Sequence, residues 1–170
     1  MTEQRLTHVD EAGRARMVDI SDKAVTQRSA TARGRVRCSA EAVQRIAANA
    51  IAKGSVLDTA RIAGIMGAKR TSDLIPLCHP LALRHVDVDL RVDTSETPGV
   101  LIEATARVEG ATGVEMEALT AVAIAALTVI DMIKAVDHWA SITDVTLVHK
   151  EGGRSGSLDR PERDQFAGLA

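Results

Sequence analysis

The stretch Thr112–Val136, TGVEMEALTAVAIAALTVIDMIKAV, constrains the chain more than any other. From Ala118 to Ile130 it carries no charged side chain. A helix that apolar all round is buried in a core or lies in a membrane. The uncharged run is shorter than the roughly 20 residues a bilayer demands, so the expectation is a core helix. Thr112 is the expected N-cap, with Glu115 three residues on completing a capping box. Acids (Glu115, Glu117) gather at one end, and Asp131 and Lys134 at the other. An apolar middle with ionisable ends is a core element that presents chemistry at its termini.

Strands fall on either side of it. In AVTQRSATARGRVRC (24–38) Arg33, Arg35 and Arg37 alternate, which places them on one strand face. That face is either solvated or anion-binding. RHVDVDLRV (84–92) alternates with Val86, Val88, Leu90 and Val92 inward, and VLIEATARV (100–108) alternates again. The turn-rich DTSETPG between them makes the pair an antiparallel hairpin. ASITDVTLVH (140–149) is a last strand. Ser39 is placed to cap a helix over 40–52, and Ser55 with Asp58 to start another that reaches Arg70.

Strand, helix pair, strand, strand, helix, strand is the split β-α-β order of ferredoxin-like folds. The expected class is therefore α+β, an antiparallel sheet with helices on one face. Residues 1–156 read as one domain with a mobile N-terminal arm over 1–17, and 157–170 as a flexible tail.

Composition narrows the function. Net charge is -2, so no bulk polyanion is implied as a partner. The aromatics are Trp139 and Phe166 alone, too few for a base-stacking platform. No apolar signal-like run follows Met1. With Cys38 and Cys78 as its only cysteines, the chain is expected in a reduced cytoplasm with both thiols free.

Five groups of residues can carry chemistry. Asp131 and Lys134 stand side by side at i, i+3. They are a surface ion pair or, if partly buried, an acid–base pair with shifted pKa values; burial would raise Asp131 and Lys134 would lower it. Glu115 is accounted for by capping, Glu117 by the helix dipole or by function, and Met116 by the core. Cys78-His79 is held between Pro76 and Pro80, in a loop that Leu74, Ile75, Leu77 and Leu81 are expected to pin to the core. It lacks a second nearby Cys or His for zinc, so substrate contact and proton transfer by His79 is the favoured role. Lys53 and Lys69 each close a helix. Finally, KEGGRSG (150–156) joins cations and glycines that can wrap a phosphate, without the spacing of a P-loop.

Taken together, TARIAGIMGAKRTSDLIPLCHPL, TGVEMEALTAVAIAALTVIDMIKAV and KEGGRSG strongly resemble the cyclic pyranopterin monophosphate synthase family, the molybdenum cofactor biosynthesis protein C family. The resemblance runs from LTHVD (Leu6 to Asp10) to about Gly156. It implies a ferredoxin-like fold and a homohexamer, a trimer of dimers. It implies conversion of 3',8-cyclo-7,8-dihydroguanosine 5'-triphosphate to cyclic pyranopterin monophosphate and diphosphate. No cofactor is implied; Mg2+ on the triphosphate is compatible. Asp131 matches the family's catalytic aspartate, with Lys134 and Lys53 as catalytic lysines. Leu77, Cys78, His79, Met116 and Glu117 match its substrate contacts, and Lys150 and Arg154 its tail cations. Ile133 and Arg154 depart from residues common there, Cys and Lys. The competing reading is a non-catalytic ferredoxin-like module that binds a nucleotide or pterin and regulates a partner. Glu117 and Asp131 lie 14 residues apart on one helix, about 21 Å along its axis, too far to share a reacting centre within one chain. A site shared across a two-fold interface resolves this.

Overall fold

A computed structural model describes residues 13–153 and 156–161. The elements are β1 (Thr26–Arg37), α1 (Ala40–Ala47), α2 (Val56–Lys69), α3 (Thr71–Leu74), β2 (His85–Asp93), β3 (Gly99–Gly110), α4 (Glu115–Ile133), β4 (Ser141–Glu151) and β5 (Leu158–Asp159). The sheet order is β2-β3-β1-β4-β5, with every pairing antiparallel. Its first four strands are arranged as in a ferredoxin-like fold, and the α+β expectation holds. Helices α2 and α4 pack against each other and cover one face.

Alternation in the strands decides which side chains meet those helices. Ala30, Ala32 and Val36 of β1, Val88 and Leu90 of β2, and Ile102, Ala104 and Ala106 of β3 are all buried. They meet Ala118, Ala121, Val122, Ala125, Ala126 and Val129 of α4 in one core. With so few aromatics, the core closes by near approach rather than by bulk. A Cβ on Gly64 of α2 would lie 2.9 Å from the Ala121 carbonyl oxygen, and one on Gly67 would lie 2.8 Å from Ile124 Cγ1. By length and hydropathy alone α4 is fit to cross a membrane. Here its apolar surface is spent largely on the sheet and α2.

Several local expectations are corrected. Helix α4 starts at Glu115, with Val114 rather than Thr112 in the cap position and no side-chain cap bond. Glu115 therefore does not complete a capping box. Helix α1 ends at Ala47 instead of running to 52. Asn49 there takes a φ of 51°, and the Ala50 and Asn49 amides donate to the Arg45 and Ile46 carbonyls. This is a Schellman ending with Asn in the left-handed position, which it tolerates better than most residues. Lys53 thus sits in the α1–α2 loop and closes no helix. Ser39 and Ser55 cap α1 and α2 as expected. Leu74 is exposed rather than pinned, whereas Leu81 does pack on the core. Leu158 and Asp159 pair with Lys150 and His149, so part of the expected loose tail is strand.

The uncovered face of the sheet resolves the arginine alternation. Arg33 binds Glu103 across the β1–β3 ladder at 2.6 Å, and Arg35 binds Asp93 at 2.5 Å. Those two cations are neutralised by neighbouring strands, while Arg37 is exposed.

Candidate active site

Helix α4 is continuous, so the groups it carries are sorted into two clusters at opposite ends.

At its C-terminal end, Asp131 is the hub. Lys53 Nζ donates to Asp131 Oδ2 at 2.8 Å and to its backbone oxygen at 2.6 Å. Lys134 Nζ donates to Oδ1 at 2.8 Å. Both carboxylate oxygens are thus held by cations, one local in sequence and one brought in by the α1–α2 loop. The hydrogen bonds from Lys134 and Lys53 pull the Asp131 carboxyl down to about 2. The shift comes from the lysines and not from burial, since all three side chains are about half exposed. At neutral pH Asp131 is a carboxylate, able to take a proton and unable to give one. The two lysines outweigh the single carboxylate, and the half-exposed cluster carries a net positive charge suited to a phosphate chain. The neighbouring Ile133 is fully buried, so its identity is set by packing.

At the N-terminal end lies a hollow of about 240 Å³ lined by Leu77, Cys78, His79, Met116 and Glu117, together with Val18, Ile20 and Lys23. His79 Nε2 donates to the Val18 carbonyl at 2.8 Å, which leaves Nδ1 facing elsewhere for a second role. Met116 lines this hollow and is over a third exposed, so it is not a core residue. Burial raises the Cys78 thiol, and Glu117 adds to the rise, so the thiol is protonated and is no thiolate nucleophile.

The two glutamates are pushed apart. Glu117 is 4% exposed, and burial raises its carboxyl, with Glu115 adding to the effect. Burial also works against the charge on Glu115. There, however, the hydrogen bond from Lys150 and one from its own backbone amide outweigh it, and its carboxyl stays below the usual range. The Lys150–Glu115 contact is 2.7 Å, with both side chains mostly buried. A pair of carboxyls held one low and one high is the arrangement that acid–base chemistry uses.

The residues matched to the family's site that the structure describes fall into these two clusters; Lys69 is exposed at the end of α2, and Arg33, Arg35 and Arg37 lie on the open face of the sheet. Arg154 and Leu6–Asp10 lie outside the described residues. Four contributors, Val18, Ile20, Lys23 and Arg28, were not visible from sequence. Val18 and Lys23 belong to a polar stretch with no helical or strand period, and only the fold lays it against the Cys78-His79 loop. Arg28 donates to the Gly110 and Ala111 carbonyls at 2.9 and 3.3 Å, fixing the loop that enters α4. It is a single cation on β1, and its partners are more than 80 residues away.

Known proteins match this sequence over most of its length. Residues 17–153 match the MoaC family. The cyclic pyranopterin monophosphate synthase of Roseiflexus sp. (strain RS-1) is 62% identical, covering 90% of this chain and 96% of that protein. The synthase of Parvibaculum lavamentivorans is 56% identical, over 92% of this chain and 97% of its own length. That of Streptomyces griseus is 58% identical, over 94% and 88%. The match takes in β1 through β4 and both ends of α4, and on that evidence the chain belongs to the MoaC family.

Proposed function

We propose that this chain is an enzyme that converts 3',8-cyclo-7,8-dihydroguanosine 5'-triphosphate to cyclic pyranopterin monophosphate and diphosphate, an early step in molybdenum cofactor biosynthesis. Identity of 62% and 56% over 90% and 92% of the chain with synthases of that name carries the reading. A regulatory module that only binds the nucleotide has no use for this many opposed titrating groups.

The conversion opens a five-membered ring, builds a six-membered one and closes a cyclic phosphate. Lys53 and Lys134 meet the triphosphate and neutralise charge as diphosphate leaves. Their engagement by phosphate loosens their grip on Asp131, whose pKa then climbs from about 2 toward the ordinary carboxylate range. Asp131 thereby becomes a stronger base when substrate is bound. At the other end Glu117, held toward its neutral form, is the acid, and His79 relays protons through Nδ1. Leu77, Cys78 and Met116 shape the hollow around the base. Lys150 and Arg154 supply further positive charge. No redox step occurs, so the reaction proceeds without flavin or nicotinamide, and any Mg2+ belongs to the triphosphate.

Continuity of α4 supports a shared site. Its two clusters are separated by about 21 Å of rigid helix, and no Gly or Pro lies between Glu117 and Asp131. An antiparallel neighbour brings one chain's Glu117 end to the other's Asp131 end, within a trimer of dimers. The setting we propose is the cytoplasm, where both thiols remain reduced.

The test supplies purified chain with the cyclised triphosphate and follows product and diphosphate by liquid chromatography with mass detection. Stoichiometric formation of both supports the reading. Tight binding without turnover, in a preparation of intact fold, replaces it with the binding module.

A further inference from the structure

The face of the sheet that the helices leave open carries a second cationic feature, apart from either end of α4. Residues Ser29 of β1, Arg107 of β3 and His85 of β2 lie directly opposite one another in the ladders, forming one row across three strands. Arg107 and His85 are exposed, while Ala106 and Val108 on either side of Arg107 are buried on the far side and Val86 beside His85 is partly buried there. The row borders a hollow of about 770 Å³, a volume in the range of small-molecule sites.

Charge on this face is otherwise accounted for. Arg33 and Arg35 bind Glu103 and Asp93, Arg91 binds Asp89 at 2.9 Å, and Arg84 binds Glu109 at 3.2 Å. The Arg28 guanidinium is spent on two carbonyls. Arg107 and His85 have no carboxylate within ion-pair distance among the described residues. Arg37 shares that state but lies at the far end of β1, outside the hollow. Three carboxylates bear on the row. Glu109 is two residues from Arg107 on the same face of β3, lines the hollow and is paired with Arg84. Asp87 is the next residue of β2 on the same face, opposite Thr105, and Glu151 of β4 is directly opposite Ser29 and lines the hollow. None of the three is the ladder partner of Arg107, which is flanked by Ser29 and His85. The arrangement puts an arginine fork, an imidazole N–H and a hydroxyl on adjacent strands at one register position, which is the donor set for a phosphate group.

We propose that Arg107, His85 and Ser29 form a phosphate-binding site on the open face of the sheet, for a small phosphorylated ligand. The shared chemistry is a phosphate or diphosphate group, which free diphosphate and a nucleotide both present. The proposal does not rest on the assigned reaction, because none of its three residues belongs to the clusters on α4.

The experiment uses the full chain carrying Lys53→Ala and Lys134→Ala, so that phosphate binding at the Asp131 end is removed. Isothermal titration with inorganic diphosphate and, separately, with ATP measures what remains. Saturable binding of one anion per chain is expected. Adding Arg107→Ala weakens it at least about tenfold, the scale of losing a charge-assisted contact; Arg107→Lys weakens it less. Arg37→Ala, a control cation on the same face, changes it by no more than about twofold. Equal affinity for the two probes identifies the phosphates alone as the ligand, and tighter ATP binding places a nucleotide in the hollow. Circular dichroism confirms that each variant is folded. No binding up to about 10 mM, far weaker than a specific site, overturns the proposal. So does binding that Arg107→Ala leaves unchanged. Loss of oligomer mass in Arg107→Ala, with no anion bound by the parent, also overturns it and makes the row a contact between copies.

Discussion

Consider replacing Lys150 with Met, which keeps the aliphatic stem and deletes the charge. Glu115 then loses its 2.7 Å partner while its side chain stays 29% exposed. A hydrogen bond to a charged group contributes about 1.5–3 kcal/mol. Solvent reaches about a quarter of this pair, so about 1–2 kcal/mol is the discounted figure. For a chain of this size that lowers Tm by about 3–6 °C at fixed protein concentration. The sign with pH is fixed by the direction of the Glu115 shift. Its folded-state pKa lies below the unfolded value, so the pair's contribution is complete above the ordinary glutamate range and is lost as pH falls through the folded value. The variant should therefore be weaker than the parent near neutrality and should converge with it in acid. Glu115→Gln added to Lys150→Met should recover most of the loss, because no unpaired charge remains. Urea unfolding of all four chains of the cycle, at neutral pH and at about pH 3.5, measures this. Equal stability of Lys150→Met and the parent at neutral pH would refute the reasoning, as would a deficit that persists unchanged in acid.

Other expectations follow from the same geometry. Lys53→Ala and Lys134→Ala should each cut single-turnover rates at least about a hundredfold, and near-normal product formation by either removes it from the catalytic set. Asp131→Asn should keep fold and substrate binding yet lose turnover. A sharp fall in its melting temperature would instead make Asp131 a structural partner of the lysines. Gly64→Ala should cost about 1–3 kcal/mol by overpacking, since its Cβ would meet the Ala121 carbonyl at 2.9 Å; denaturant titration reads this, and an unchanged midpoint would mean that α2 and α4 can separate freely.

The architecture was legible because two periods run cleanly through the sequence. Period-two alternation in 84–92 and 100–108 gives the hairpin, and the uncharged run Ala118–Ile130 gives the buried helix. Helix ends were less legible where backbone conformation decides them. In AANAIAKG the Asn49 that stops α1 is a residue suited to the left-handed position, but the helical spacing of Ala and Ile carried the expected helix past it to 52. Thr112 has the composition of a cap, but Val114 occupies the position, and Glu115 turns instead to Lys150, 35 residues away. The Asp131–Lys134 half of the site was local and therefore readable. Its third member, Lys53, is joined to it only by the fold, and family resemblance rather than spacing supplied it. Val18 and Lys23 sit in a segment without periodicity, so their place beside Cys78-His79 is known only once the chain is folded.

The central claim is that one catalytic site draws Glu117 and Asp131 from two chains, and co-expression tests it most directly. Chains bearing Glu117→Ala and chains bearing Asp131→Ala, each inactive alone, carry different affinity tags and are purified as mixed oligomers. In a shared site, one of the two sites of each mixed dimer is fully wild type, so mixed oligomers should regain a substantial fraction of parental turnover. Mixed dimers that mass spectrometry confirms and that stay inactive would contradict the account, and would leave α4 with two separate clusters that never meet.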